Sequence, residues 1–177
     1  AQEPLHNAPA DLVVLRAPGN MPLPKALSDE RIAAVLCGPG LGRDHQSRER
    51  MEAALASGHP LVLDADALTL LQMADRANCT APLVLTPHEG EMAALEKSFG
   101  LPGKGTKCCR ALTLAQAAGA VVIAKGADTL VAAPDGRVAY APPSSSWLSV
   151  AGTGDVLAGL TASRLAVTGD RSEERRV

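Results

Sequence analysis

Three short runs of this chain are apolar at every position rather than at every second one: Leu61-Val-Leu63, Leu83-Val-Leu85 and Val121-Val-Ile-Ala124. Successive side chains of a strand point to opposite faces, so a strand with one face in water alternates apolar and polar residues. A run that never alternates must bury both faces, as strands do in a parallel sheet covered by helices. Ile32-Ala-Ala-Val-Leu-Cys37 and Leu12-Val-Val-Leu15 have the same character and are read as further strands. Helical spacing fills the gaps. Residues 47–57 place Met51, Ala54 and Leu55 on one face and stop at Gly58. Residues 65–73, the stretch after Glu91 to about Phe99, and residues 111–118 also read as helices. Residues 129–132 and 137–140 flank Pro134-Asp135-Gly136, the turn chemistry of a hairpin. Strand and helix in alternation mean an α/β layer fold with a mostly parallel central sheet.

The chain has 177 residues, no internal repeat and no linker-like stretch, so residues 1–177 are expected to form a single domain. Aromatics make up only 2%, so the core must come from Ala, Val and Leu. The formal net charge is −2 without a basic stripe, which speaks against nucleic-acid binding. No apolar run reaches the roughly 20 residues that span a bilayer. The N-terminus, Ala1-Gln-Glu-Pro-Leu-His, has neither the charged nor the apolar segment of a signal peptide. It also lacks an initiator Met, which suggests a processed or excised chain. Cys37, Cys79, Cys108 and Cys109 fit neither zinc spacing nor a disulfide framework; they read as reduced thiols of a cytoplasmic protein, with Cys37 buried in its strand.

The strand ends carry the chemistry. Gly38-Pro-Gly-Leu-Gly42, Asp64-Ala-Asp66, Thr86-Pro-His-Glu-Gly-Glu91 and Lys125-Gly-Ala-Asp-Thr129 each follow a strand at once. Ala151-Gly-Thr-Gly-Asp155 opens a last helix, residues 155–165, with Val156, Leu157, Leu160 and Ala162 available to bury. Ligands of open α/β sheets bind outside the carboxyl ends of the strands, so these five segments should share one edge. A glycine turn entering a helix presents unpaired N–H groups at the positive end of the dipole, which is a phosphate site. Asp155 in that first turn is either a capping group or a base beside the phosphate. Gly38–Gly42 is a tight turn or a close approach to a ligand. Asp64 and Asp66 can hold Mg²⁺ through water, or Asp66 can cap the next helix. His88 caps a helix or faces a ligand, and Glu91 holds a metal-bound water or complements the helix dipole. Lys125 is best read as a phosphate contact. Arg43, Arg48 and Arg50 read as a solvated helix face, and His59 as a surface residue.

This ordered set of motifs resembles the ADP/ATP-dependent NAD(P)H-hydrate dehydratases, relatives of the YjeF C-terminal domain with a ribokinase-like fold. The resemblance spans roughly residues 12–165 and implies a three-layer sandwich. The TPHEGE and DADAL elements in this order are more specific than GTGD, which ribokinase-like kinases share. It implies a lyase of metabolite repair that returns NADHX or NADPHX to NADH or NADPH while consuming ADP or ATP, with Mg²⁺ shielding the phosphates. Carried over by residue, Asp155 matches the general base, and Gly152, Thr153 and Gly154 match the anion hole. Lys125, Gly126, Ala127, Asp128 and Thr129, with Gly154, match the nucleotide site. Gly40, Gly42, His88 and Asp155 match positions facing the hydrated dinucleotide, and Asp64 and Glu91 would reach Mg²⁺ through water. The family also implies a homo-oligomer. Its domains begin with further strand–helix units and continue past the GTGD helix, so the chain is expected to be shortened at both ends. Two other readings stand beside this one: a ribokinase-like vitamin-precursor kinase, and a shortened, inactive nucleotide-binding module.

Overall fold

A computed structural model describes residues 23–143 and 150–169. The strand read at residues 12–15 and the charged tail at 171–177 lie outside the described residues. The chain order is α1 (Leu23–Ala26), β1 (Val35–Cys37), α2 (His45–Leu55), β2 (Leu61–Leu63), α3 (Asp66–Leu70), a 3₁₀ turn (Met73–Asn78), β3 (Leu83–Leu85), α4 (Glu89–Ser98), α5 (Lys107–Ala118), β4 (Val121–Ala124), β5 (Leu130–Ala132), β6 (Val138–Tyr140) and α6 (Thr153–Gly169).

The six strands form one sheet in sequence order. β1 to β4 run parallel, in a register that aligns Val35, Leu61 and Leu83 across the first three. β5 and β6 return antiparallel. Strand order never reverses, and crossovers of one hand then lay successive helices on one face. The main core agrees: Met51, Leu55, Leu68, Met92, Leu95 and Leu114 from the helices pack on Leu61, Leu63, Leu83, Leu85, Val122 and Ala124. The opposite face is covered among the described residues by α6, whose Ala158 packs on Val62 and Val84. Alternate residues of the LVL strands thus serve different cores, which is why these runs could not alternate in polarity. The layers are those of a mostly parallel α/β sandwich. No helix among the described residues is long and apolar enough to cross a membrane.

Local chemistry sets the helix ends. Asp44 caps α2 by accepting from the Ser47 N–H at 2.8 Å. Thr106 caps α5 through the Cys109 N–H, and Gly119 ends that helix in the left-handed conformation.

Several expectations change. β1 is confined to Val35–Cys37 and is only half-buried, Cys37 included, because among the described residues it has a single neighbour in the sheet. The helix expected at 65–73 splits into α3 and the 3₁₀ turn. α5 starts four residues before position 111, at its Thr106 cap (107 against 111). Val156 and Leu160 are exposed at 62% and 61%, so the face α6 buries runs through Ala158 instead. Arg48 is not simply solvated: it pairs with the buried Asp75 and donates to the Leu70 carbonyl, tying α2 to the segment after α3. The His59 ring reaches the Leu27 carbonyl at 2.6 Å.

Candidate active site

The chain crosses the end of β1 so closely to the end of β2 that only glycine fits. A Cβ on Gly38, at φ +132°, would stand 1.7 Å from the Asp64 carbonyl oxygen. The Asp64 N–H in turn donates to the Cys37 carbonyl at 3.1 Å. Two residues on, the loop is tied again: the Gly42 N–H donates to Asp66 Oδ2 at 3.1 Å, and Arg43 Nε donates to Asp66 Oδ1 at 2.7 Å. The Arg43 bond first, and then the Gly42 N–H, hold the Asp66 carboxyl below its usual range. Asp66 therefore does not cap α3. It lies inside that helix, whose cap position is Ala65. A Cβ on Gly40 would meet nothing within 4 Å, so that position of the loop faces open space.

Ala65 is strained. Its φ of 48° and ψ of −123° lie in a region populated by glycine. This backbone sends its two flanking aspartates to different partners: Asp66 to the loop after β1, Asp64 into the sheet edge. Asp64 is 1% exposed, and Lys125 Nζ stands 2.6 Å from its Oδ1.

Lys125, itself in one of the five segments, joins three of the others. It is placed by the end of β4 and by its own N–H, which donates to the Pro87 carbonyl at 2.8 Å. Its ammonium pairs with Asp64 and lies 3.8 Å from Glu91 Oε2. It also stands 3.4 Å from where a Cβ on Gly154 would be. A cation therefore faces the opening of α6. That opening is a glycine turn, with Gly152 at φ +91° and the Thr153 hydroxyl donating to the Val150 carbonyl at 2.8 Å. The Val156 N–H bonds back to the Gly152 carbonyl at 3.1 Å. The N–H groups of Gly154 and Asp155 precede it in the first turn, where helices leave donors without an internal partner. The Asp155 side chain is exposed there.

His88 caps α4. Its Nδ1 accepts from the Gly90 and Glu91 N–H groups at 2.9 and 3.3 Å, so the ring proton belongs on Nε2. Glu91 Oε2 closes the box by accepting from the His88 N–H at 2.8 Å. The other ring nitrogen, Nε2, lies 3.4 Å from Glu91 Oε1.

The loop at residues 125–129 folds on itself. The Thr129 hydroxyl donates to the Gly126 carbonyl at 3.0 Å. Lys107 Nζ donates to the Asp128 carbonyl and carboxylate at 2.8 and 2.9 Å, which lowers the Asp128 pKa. Lys107 and the Asp64–Lys125 pair are what sequence reading missed. Lys107 is 18 residues before Lys125 and outside the five segments at the strand ends (125 − 107). Two opposite charges at separate strand ends carry no signal that they will meet. Nor was Arg43 legible as the partner of Asp66.

Among the described residues no three His, Cys, Asp or Glu side chains gather into a metal cage. Asp64 and Glu91 already share the Lys125 ammonium, which occupies their near side. They fit a water-mediated contact to a cation carried on a ligand's phosphates rather than direct ligation.

The family model described as NAD(P)H-hydrate dehydratase matches residues 4–175. The bifunctional NAD(P)H-hydrate repair enzyme Nnr of Mycobacterium tuberculosis is 41% identical over 140 residues, covering 77% of this chain and 28% of that protein. Its counterpart in Gloeobacter violaceus is 43% identical over 139 residues, covering 77% and 27%. Among solved structures, the ADP/ATP-dependent NAD(P)H-hydrate dehydratase of Bacillus subtilis, co-crystallised with ATP/Mg²⁺, superposes with a TM-score of 0.67 at 29% identity, over 81% of this chain and 52% of that one. A ribokinase-like superfamily protein of Enterococcus faecalis gives 0.68 at 26% identity, over 81% and 50%. The chain thus spans little more than a quarter of these curated relatives and about half of these solved chains.

Proposed function

The chain belongs to the NAD(P)H-hydrate dehydratase family, and on that premise we propose that residues 1–177 are part of one dehydratase domain that returns NADHX or NADPHX to the reduced dinucleotide at the expense of ADP or ATP. The observation that carries this reading is the Lys125 ammonium, set between Asp64, Glu91 and the glycine turn before α6. A cation facing a helix start that presents N–H groups suits a transferring phosphoryl group.

The chemistry follows from these positions. Asp155 takes the proton of the substrate hydroxyl, and that oxygen attacks the terminal phosphorus of the nucleotide. The bond from phosphorus to the bridging oxygen breaks, releasing AMP from ADP or ADP from ATP. The anion hole is Gly152, Thr153 and Gly154; the Thr153 N–H already donates to the Val150 carbonyl at 3.3 Å, so the N–H groups of Gly152 and Gly154 receive the charge on the equatorial oxygens. Phosphate then leaves the ring carbon with the bonding pair, and loss of a proton from the neighbouring carbon restores the double bond. Residues 125–129 with Gly154 hold the nucleotide. Gly40 and Gly42 face the dinucleotide with His88, whose Nε2 lies beside Glu91 Oε1 at 3.4 Å. Asp64 and Glu91 would hold a nucleotide-borne Mg²⁺ through water, and that ion would shield the phosphate charge. The reading includes a cytoplasmic location and self-association, and light scattering would test the latter.

The test is to incubate the purified chain with NADHX and ADP and follow the return of NADH absorbance. The expected result is recovery that Asp155→Asn abolishes while ADP binding persists. Absent recovery, together with phosphorylation of a vitamin precursor, would move the chain to the kinase reading. ADP binding with identical background turnover in both forms would make it a binding module.

A further inference from the structure

We infer that Lys107, outside every motif that carries the proposed function, is a positioning residue that sets the shape of the nucleotide loop; the inference rests on residues 125–129 being that loop. Lys107 is the first residue of α5, and its ammonium crosses to the far side of the loop to grip Asp128 twice, at the carbonyl (2.8 Å) and the carboxylate (2.9 Å). The grip is deep in the turn: a Cβ on Gly126 would stand 2.7 Å from Lys107 Nζ. Glycine at 126 is what lets the ammonium sit there.

Two features separate this contact from an ordinary surface ion pair. First, the helix start is the wrong place for a cation, because the dipole there is positive. The first turn of α5 contains Lys107 and Arg110 and no acidic residue. Arg110 is compensated by Glu89 and Glu96, two carboxylates of α4. The partner of Lys107 is the loop. Local rules tend to be broken where function requires it. Second, the Asp128 side chain is 72% exposed, and an ion pair so open to water contributes little to folding. What the pair does instead is geometric. Every peptide bond described is trans, so pinning the Asp128 carbonyl toward α5 turns the Thr129 N–H to the opposite side. The Thr129 hydroxyl closes the same turn onto Gly126. Lys107 therefore selects one orientation of the Thr129 main-chain donor in the nucleotide loop, with no need to touch the nucleotide itself.

The experiment is calorimetric titration of ADP into the unsubstituted chain, Lys107→Met, Lys107→Arg and Asp128→Ala, each with a thermal melt. Lys107→Met should weaken ADP binding about tenfold with an unchanged melting temperature, as loss of an ordering contact does. Lys107→Arg, which keeps a charged donor of similar reach, should recover most of the affinity. Asp128→Ala, which spares the carbonyl, should fall between; it also carries the test if Lys107→Met does not fold. Unchanged ADP affinity in Lys107→Met, or losses that follow the melting temperature, overturns the inference alone. Failure of the unsubstituted chain to bind ADP overturns the functional reading and this inference together.

Discussion

Lys125 Nζ is held 2.6 Å from the Asp64 carboxylate, and the carboxylate is almost wholly enclosed by protein. A buried ion that loses its partner keeps its desolvation cost without the attraction that offset it. Asp64→Ala should therefore destabilise the chain by about 2–3 kcal/mol, less than for a fully enclosed pair because part of Lys125 can reach water. Adding Lys125→Met to that variant should restore much of the loss. Urea melts of the two single variants and the double decide it; additive losses would mean that the pair does not couple.

Ala65 provides a second, opposite expectation. Its positive φ costs an alanine roughly 1–3 kcal/mol, whereas glycine adopts it freely and adds backbone freedom to the unfolded chain. Ala65→Gly should raise stability by about 1 kcal/mol, visible as a higher melting temperature. A lower one would mean that the strain is absent in solution.

Cys37 gives a pH dependence. Burial pushes its thiol up to about 11, while Cys109 is exposed. The folded chain holds the Cys37 proton to higher pH than the unfolded chain does, so the unfolded state is favoured as pH rises beyond the ordinary thiol range. The stability contribution is complete below that range and lost by about pH 11. An alkylating reagent at pH 8 should label Cys109 quickly and leave Cys37 largely intact, by mass spectrometry of tryptic peptides. Equal labelling would overturn the burial account.

Much of this was legible because parallel strands advertise themselves. Leu61-Val-Leu63 and Leu83-Val-Leu85 could be placed from polarity alone, and the polar groups just after them had to share an edge. His88 announced a helix start by its position just after a strand, whereas the Thr106 cap was not recognised. The misses share a cause. Asp66 turning to Gly42 and Arg43, Arg48 reaching Asp75, and Lys107 reaching Asp128 are contacts across 21 or more residues by long or bent side chains. Sequence spacing does not encode them. The exposure of Val156 and Leu160 was hidden for a different reason: a helix as apolar as α6 offers several candidate faces, and only the sheet beneath it shows which one is used.

The sheet reverses direction after β4, and the consequence falls on the loop at residues 125–129. Its two feet, Ala124 and Leu130, are paired neighbours in adjacent strands. A segment closed so tightly has spent its loop entropy in folding and has little left to surrender when a ligand arrives. Residues 125–129 should therefore offer a ligand one fixed shape, so that selection among differently shaped guests at this loop follows fit rather than adjustment.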